Sequence, residues 1–312
     1  MRSDKRVPDS RSSANCMDYG ILVINKPAGY TSHDVIAVLR GITGIRKMGH
    51  TGTLDPNVTG VLPVCYGKAT RLIEYMDTAS KTYEAGIRFG LATVTQDVWG
   101  EPDDDVVLSG EVPSSFDEVA AALDSFRGTI EQVPPAYSAV FVNGRRAYDI
   151  ARSGGKPVLE PRKVTVYSIE LLEYDPETKE GHIRVCCSRG TYVRTICHDL
   201  GLKLGCGACM SSLVRTEACG FKLEDALDLE EARTMTSEQV LALARPVEDA
   251  LGQMQRMDIE EDAAALFLNG MTIFITSDGH AQNEPTAVYC GGKLLGIAKL
   301  TEDGLRPVKV FS

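Results

Sequence analysis

The sequence predicts an α+β protein with a larger first domain and a small β-rich domain at its end. The chain has 312 residues, more than one domain usually contains. Helix-like and strand-like segments mix without the regular strand–helix alternation of a parallel α/β sheet. From about residue 247 the pattern changes to short strand-like runs separated by glycine-rich turns. We therefore expect a loose tail at 1–18, a main domain at 19–246 and a β-rich domain at 247–312.

The first elements are short and separated by loop residues. The apolar run of YGILVINKPAG predicts a strand that ends at Pro27 and Gly29. TSHDVIAVLRGITG follows with the spacing of a short helix, and Ser32 is placed to cap its N-terminus. The next segments predict a loop, a buried strand, a helix and a strand, in the order HTGTLDPNVTG, VLPVCYG, ATRLIEYMDTA and KTYEAGIRFGLAT.

The later elements begin with an acidic stretch, residues 97–118, that contains a turn at WGEP. SFDEVAAALDSFRG then predicts a helix, and PPAYSAVFVNGRRAYDIARSGG predicts a loop that leads into a basic helix. Alternating polar and apolar residues in KVTVYSIELLEY and HIRVCCSRGTYVRTICHDLG indicate strands. In the last domain IEEDAAALFLNG predicts a helix, and four runs predict short strands: TIFIT, TAVYCGG, KLLGIAKL and PVKVFS.

Composition indicates a soluble globular protein, because 43% of the residues are hydrophobic and 24% are charged. No apolar run approaches the length of a membrane span, and the polar N-terminus lacks the apolar segment of a secretory signal. Nine cysteines without an export signal suit a reducing compartment, so we expect a cytoplasmic protein with buried thiols. Cys206 and Cys209 form a lone C-x-x-C without a second ligand pair, so we expect no metal site.

The charges are segregated along the chain. The formal net charge is −10, and residues 97–118 and 222–262 each carry a local net charge of −8. Residues 38–71 and 143–163 each carry a net charge of +4. A segregated basic surface binds phosphates even on an acidic protein, because salt screens charges beyond roughly 8–10 Å. Charge alone leaves two interpretations open, a nucleic-acid interface and a solvated basic face.

Asp55 is the one carboxylate of the loop HTGTLDPNVTG. A glycosidase needs two carboxyl groups, whereas a lone carboxylate suits a reaction at a sugar carbon in which the leaving group is kept. Pro56 favours extended geometry at Asp55. Three glycines, Gly49, Gly52 and Gly60, are expected to let the backbone approach a ligand. The alternative from spacing alone is an ordinary Asp-Pro turn.

A family resemblance distinguishes these alternatives. GTLDPNVTG resembles the G-x-L-D-x-x-x-x-G signature of pseudouridine synthases, and GHTGTLDPNVTGVLPVCYGKATR resembles the bacterial TruB-type tRNA pseudouridine synthases. Further blocks resemble the same family in the same order: KPAGYTSHDV, KTYEA, PPAYSAV, NGRRAYDIAR and CSRGTYVRTICHDLG. GKLLGIAKL and LRPVKVF resemble the end of a PUA domain, a small RNA-binding barrel. The resemblance implies a catalytic domain with a mixed, largely antiparallel sheet and flanking helices, followed by a PUA-like β-barrel.

The resemblance also implies a reaction and a partner. The enzyme would isomerise the T-loop uridine at position 55 of tRNA to pseudouridine by cleaving the glycosidic bond, rotating the base and rejoining it through carbon. This isomerisation is redox-neutral and needs no metal or cofactor. The implied partner is the T-arm stem-loop of tRNA, with no obligatory protein partner, and we expect a monomer. The target base must leave its stack, because the sugar carbon and both base edges have to be reached.

Each site residue is implied by its place in a matching motif. Asp55 would be the catalytic carboxylate that acts on the ribose. Arg194 in GTYVRT would hold Asp55 ionised and oriented, and Tyr83 in KTYEA would lie against the target base. His50 would stack within the loop and help to keep the uridine extruded. Pocket-wall positions, for which simple core packing is the alternative, are Tyr192 and Leu213.

Three further positions qualify the match. Asp97 resembles a loop acid of the family without an assigned role. Phe141 stands where the family commonly has a lysine, so no basic contact is expected from it. Cys209 stands where histidine is common, which argues against a ligand role. Two other functions stay open beside the enzyme: a non-catalytic RNA-binding or tRNA-folding protein, and a pseudouridine synthase acting on another RNA.

Overall fold

A computed structural model of the chain describes residues 18–76, 80–252, 254–275 and 281–311. The predicted tail at 1–18 lies outside the described residues except for Asp18. The strands are β1 (Gly20–Lys26), β2 (Met48–His50), β3 (Thr59–Tyr66), β4 (Lys81–Phe89), β5 (Gly128–Gln132), β6 (Phe141–Val142), β7 (Arg145–Arg146), β8 (Arg162–Asp175), β9 (Glu180–Cys187), β10 (Ala208–Ala218), β11 (Phe221–Lys222), β12 (Leu227–Asp228), β13 (Gln255–Asp258), β14 (Pro285–Cys290), β15 (Lys293–Thr301) and β16 (Gly304–Val310).

The helices are short. The α-helices are α1 (Ser32–Thr43), α2 (Ile73–Met76), α3 (Phe116–Leu123), α4 (Ala147–Arg152), α5 (Val193–Leu204), α6 (Leu229–Ala232), α7 (Ser237–Ala242) and α8 (Glu261–Leu268). The described residues also form four 3₁₀ turns, at Gly67–Leu72, Asp124–Phe126, Leu223–Asp225 and Val247–Ala250. Among the described residues, no helix is both long and apolar enough to cross a membrane.

The part of the chain that the structure describes forms a central sheet of ten strands. Its main path runs β12-β1-β3-β10-β4-β9-β8-β5, and β2 and β11 pair with β3 and β10 at its side. Two pairings are parallel, β1 with β12 and β3 with β10, and the others are antiparallel. The sheet and its flanking helices confirm the predicted α+β class with a mixed, largely antiparallel sheet.

Helices cover one face of this sheet in two groups. Alternate residues of β4 and β9, such as Ile87 and Val185, pack with Ile196 of α5. Beside them, alternate residues of β1 and β3 pack with α1. Tyr83 and Leu213 contact both of these cores, so they mark the boundary between the two helix groups. That boundary is where the helical cover is interrupted.

The C-terminal strands form an open sheet. Their order is β13-β14-β15-β16, with β13 parallel to β14 and the other pairs antiparallel. The described residues do not close this sheet into the expected barrel. The outer edge of β16 is occupied instead by Ile273, which exchanges backbone hydrogen bonds with Leu305. The TIFIT segment, expected to be a strand, contributes only this single bridge in the described residues.

The second half of one predicted strand is a helix. HIRVCC forms β9 as expected, but the chain then turns at SRGT and enters α5. Val193, Ile196, Cys197 and Leu200 are the buried apolar positions of α5, at spacings of three and four. The alternation read from the sequence therefore ends at Cys187, where helical periodicity replaces it.

The C-terminal sheet packs on the opposite face of β1 and β3. Ile21, Val61 and Cys65 share a buried cluster with Ile297 and Phe311. The rings of Tyr19 and Phe311 meet edge to face with their centroids 4.7 Å apart. The C-terminal strands therefore shield apolar surface of the main sheet.

We expect Phe311→Ala to destabilise the whole protein, because it opens a cavity in this shared cluster. Loss of a buried phenylalanine costs about 3–5 kcal/mol. The matched control is Phe274→Ala, since Phe274 is 89% exposed, and its effect should stay within about 0.5 kcal/mol. Urea unfolding of both variants measures the difference. Equal stabilities would contradict packing of the C-terminal strands on the main sheet.

Candidate active site

Asp55 lies in the loop of residues 51–58, which joins β2 to β3. Leu54 and Val58 on either side of it are buried, with exposures of 4% and 2%. The side chain of Asp55 is itself 53% exposed. Two apolar anchors thus fix the backbone while the carboxylate stays accessible.

Ser32 tethers this loop from α1. Its hydroxyl accepts a hydrogen bond from the Leu54 N–H at 2.9 Å and donates one to the Leu54 carbonyl at 3.2 Å. The expected role of Ser32 as helix cap is therefore wrong. Thr31 is the N-cap, in a capping box with Asp34, and this leaves the Ser32 hydroxyl available for the loop.

Lys26 tethers the next residue of the loop. It is fully buried at the end of β1, and its Nζ donates to the carbonyls of Pro27, Tyr30 and Pro56 at 2.9, 2.6 and 3.0 Å. Burial lowers the pKa of Lys26 to about 8, against the opposing influence of the Asp55 carboxylate. The ammonium group joins the turn after β1 to the Asp55 loop, a contact that the sequence did not reveal.

The glycines of the motif serve two different purposes. Gly52, with φ +97°, lines the cavity described below, as expected. Gly60 and Gly49 do not line it. A Cβ on Gly60 would collide with the backbone of Arg215 in β10, and one on Gly49 would lie 2.8 Å from Ile73. At these two positions glycine permits close packing of the protein on itself, and the expected approach to a ligand stays a prediction.

Arg194 meets Asp55 from the first turn of α5. Its Nη2 lies 3.4 Å from Asp55 Oδ2, and its side chain is only 9% exposed. The same Nη2 donates to the Tyr137 carbonyl at 2.6 Å, and the Tyr192 ring lies 5.9 Å from the guanidinium carbon. The structure therefore brings the predicted pair together and holds the arginine from a third segment of chain.

Asp97 supplies a second carboxylate to the same guanidinium. Its Oδ2 lies 3.6 Å from Arg194 Nη1, and its side chain is 13% exposed. Its Oδ1 accepts hydrogen bonds from Thr95 Oγ1 at 2.7 Å and from the Trp99 N–H at 3.2 Å. We call residues 93–99 the Asp97 loop. The sequence singled out Asp97 without a role, and the structure places it opposite Asp55 across Arg194.

Asp55 and Arg194 line a cavity of about 640 Å³ at the boundary between the two helix groups. Tyr83, Tyr192 and Leu213 also line it. Tyr83 pairs across strands with Arg215 and Leu213 with Ala85, so their side chains share one face of the sheet. The backbone of Tyr192 is fixed by Gln132, whose side-chain amide bonds both its N–H and its carbonyl.

Arg215 is a further wall residue that sequence reasoning missed. It is 1% exposed, and it donates to the carbonyls of Val61 at 2.7 Å and Gly52 at 3.3 Å. A buried charge is costly unless it is hydrogen-bonded, and these bonds tie β10 to the start of the Asp55 loop at Gly52 and to β3 at Val61. The available signal was weak: Arg215 directly follows the apolar pair Leu213 and Val214, in a strand that also contains other polar residues.

The cavity wall is strongly cationic. Among the described lining residues Asp55 is the only acid, against six cations: Lys81, Arg146, Arg152, Arg189, Arg194 and Arg215. Phe141, the departure from the family pattern, pairs with Arg146 across the β6–β7 hairpin. The guanidinium of Arg146 lies 5.6 Å from the centre of the exposed Phe141 ring. Positive charge is thus present on this hairpin although residue 141 has none.

His50 lies beside the site and does not line the cavity. It ends β2, and its ring meets that of His33 edge to face at 5.7 Å. Cys206 and Cys209 are buried, and burial raises the pKa of the Cys209 thiol to about 11. Within the described ranges, no three histidine, cysteine or acidic side chains gather as a metal site would require.

Comparison with known families covers most of the chain. Residues 40–193 match the N-terminal domain of the TruB family pseudouridylate synthases, and residues 194–252 match the C-terminal domain of tRNA pseudouridylate synthase B. A tRNA pseudouridine synthase B of Streptococcus gordonii is 41% identical over 297 residues, covering 94% of this chain and 99% of the relative. One of Symbiobacterium thermophilum is 47% identical over 254 residues, covering 81% and 82%.

Solved structures show the same fold. A chain of an H/ACA RNP bound to a substrate RNA containing 2′-deoxyuridine is 25% identical, with a TM-score of 0.72. The match covers 99% of this chain and 92% of that one. A chain of an archaeal box H/ACA sRNP Nop10–Cbf5 complex is 26% identical with a TM-score of 0.74, covering 98% and 90%.

We expect Ser32→Ala to destabilise the protein by about 1–3 kcal/mol, because the buried N–H of Leu54 loses its partner. Ser125→Ala is the matched control. The Ser125 hydroxyl also bonds a carbonyl, that of Ala122 at 2.8 Å, but it is exposed, and water replaces it. Thermal unfolding of both variants measures the effect. A Ser32 variant as stable as the Ser125 variant would show that the tether is not a significant constraint on the loop.

Proposed function

The chain belongs to the TruB family of pseudouridylate synthases, and we propose that it isomerises the T-loop uridine at position 55 of tRNA with Asp55 as the catalytic carboxylate. The relatives named above support a tRNA pseudouridine synthase. The observation that carries the assignment of Asp55 is its position 3.4 Å from a nearly buried arginine, in a cavity whose other described charged residues are all cations.

The proposed chemistry takes place at the ribose. The bond between uracil N1 and the anomeric carbon breaks, the base rotates, and a bond forms between the anomeric carbon and uracil C5. The proton on C5 leaves and N1 gains one, so atoms and charge balance without an added reagent. Asp55 promotes the cleavage, either by attack on the anomeric carbon or by removing a proton from its neighbour. Both routes need an oriented, ionised carboxylate, which Arg194 faces with a positive charge.

The remaining wall residues would hold the extruded nucleotide. Tyr83 offers an aromatic face for the base, and Leu213 and Tyr192 enclose it. Stacking on an aromatic side chain contributes roughly 1–3 kcal/mol per base. His50 lies outside the cavity, beside the loop, and we assign it to stacking against RNA at the cavity entrance. The base must leave its stack to reach Asp55.

The RNA backbone would follow the cations of the cavity wall. Arg146 and Arg152 belong to the β6–β7 hairpin and α4, within the basic segment 143–163. Phosphate contacts of this kind provide affinity and position without reading sequence. Loops expose base faces and edges that duplexes hide, so the folded T-arm stem-loop should suffice as substrate.

We propose the division of the chain on the same basis. Residues 19–246 form the catalytic domain, and residues 247–312 form an accessory RNA-binding domain of PUA type, with its barrel left open in the described residues. Because each proposed catalytic group comes from the first of these, a single chain would hold a full site. We therefore propose a monomer without an obligatory protein partner, working in the cytoplasm where tRNA is matured.

Asp55→Asn should abolish pseudouridine formation and leave tRNA binding nearly unchanged, because asparagine keeps the size of the side chain and loses its negative charge. The assay maps pseudouridine in a tRNA transcript and in its T-arm stem-loop, and filter binding measures affinity. Asp104→Asn, at an exposed acid of the stretch 97–118, is the matched control and should retain full activity.

The same assay distinguishes the alternatives. Normal turnover by a folded Asp55→Asn variant would show that Asp55 is only a turn residue. Binding without any modification by the wild-type protein would favour a tRNA-folding protein. Modification of another RNA, with position 55 of tRNA left as uridine, would favour a pseudouridine synthase whose substrate is that other RNA.

A further inference from the structure

Arg194 depends on the Asp97 loop for half of its contacts. Asp97 Oδ2 lies 3.6 Å from Nη1, and the Thr95 carbonyl accepts from the same nitrogen at 3.5 Å. Both groups flank Gln96. The conformation of this one residue therefore decides whether the carboxylate and the carbonyl point at the guanidinium together.

Gln96 is held in an unusual backbone conformation. Its φ is +64°, a left-handed backbone value that residues other than glycine and asparagine rarely adopt. Its own N–H bonds the Thr93 carbonyl at 3.0 Å, and its carbonyl accepts from the Met210 N–H at 3.0 Å. Such a conformation persists only where the surroundings over-determine it.

The side chain of Gln96 is fixed by the residue that follows Arg194. Thr195 is 2% exposed, and its hydroxyl donates to Gln96 Oε1 at 2.6 Å. Neither Thr195 nor Gln96 is among the described residues that line the cavity. The contact joins α5 directly to the Asp97 loop, one position away from each member of the Arg194–Asp97 ion pair.

We propose that Thr195 is a positioning residue for the isomerisation: its hydrogen bond to Gln96 sets the Asp97 loop so that Arg194 points Asp55 at the ribose. This inference rests on the proposed roles of Asp55 and Arg194. It adds a group that touches neither the RNA nor Asp55. The Thr195 hydroxyl fixes the position of the Asp97 loop relative to α5. The Arg194 guanidinium lies between that loop and Asp55, so its orientation depends on where the loop is held.

The experiment compares Thr195→Val, Gln96→Asn and the double variant. Valine keeps the shape of threonine and lacks the hydroxyl. Asparagine tolerates the left-handed backbone, but its amide is one methylene short of Thr195. A displacement of about 1 Å at a catalytic group costs roughly a hundredfold in rate, so each variant should slow single-turnover isomerisation by about ten- to a hundredfold. The affinity for tRNA should be unchanged, because no RNA contact is removed.

Three controls separate positioning from general stability. Thr195→Ser keeps the hydroxyl and should restore most of the rate. The double variant should be no slower than the slower single variant, because one hydrogen bond can be lost only once. Thr286→Val alters a similarly buried hydroxyl in the C-terminal sheet, 3.3 Å from the Glu284 carbonyl, and should lower the melting temperature without slowing the chemical step.

Wild-type rates in Thr195→Val or Gln96→Asn would overturn the inference, as would rate losses that simply multiply in the double variant. If Thr195→Val does not fold, Gln96→Asn decides the question, because the inference predicts that this variant binds tRNA normally and isomerises it slowly. The Asp55→Asn variant, assayed in parallel, keeps the two proposals apart. An inactive Asp55→Asn with a fully active Thr195→Val refutes only the positioning role, whereas an active Asp55→Asn refutes the proposed function itself.

Discussion

The site is organised around one nearly buried positive charge, the guanidinium of Arg194. A charge removed from water must be paired and hydrogen-bonded, and this one also lies at the N-terminal end of α5, where the helix dipole is unfavourable to a cation. Its partners are Asp55, Asp97, Tyr137 and Thr95, which come from three different loops. The ion pairs and hydrogen bonds of Arg194 therefore bring three loops and α5 together. Asp55 is oriented by its place among these contacts.

Most of the fold followed from local pattern. β1, α1, β3, β4, β8 and α8 stand where apolar spacing and turn residues predicted them, because each buries one face against a neighbour that the pattern itself implies. Two errors have different causes. The alternating pattern that predicts a strand ends at Cys187. After the turn at Gly190, the buried residues from Val193 onward have helical spacing, and this segment was predicted as a strand. The edge of β16 is taken by Ile273, which no local pattern reveals.

Sequence alone predicted only those site residues that lie in recognisable motifs. Asp55, Arg194, Tyr83, Tyr192 and Leu213 meet in one cavity, and their roles stay predictions. Contacts between residues far apart in sequence escaped sequence reasoning, because a single sequence does not pair them. They include the buried ammonium that holds the Asp55 loop, the arginine of β10 beneath it, and the threonine beside Arg194: Lys26, Arg215 and Thr195.

The central claim is that Arg194 orients Asp55 through a fixed fork of donors, and Arg194→Lys tests it most directly. Lysine keeps the positive charge but replaces a planar group of five N–H donors by a compact ammonium, which cannot serve two carboxylates and two carbonyls at once. The measurement is single-turnover pseudouridine formation at saturating tRNA, on a variant shown to be folded. The account predicts a rate loss of about a hundredfold with tRNA affinity retained. A rate near that of the wild type would show that a point charge suffices and would contradict the orienting role of Arg194.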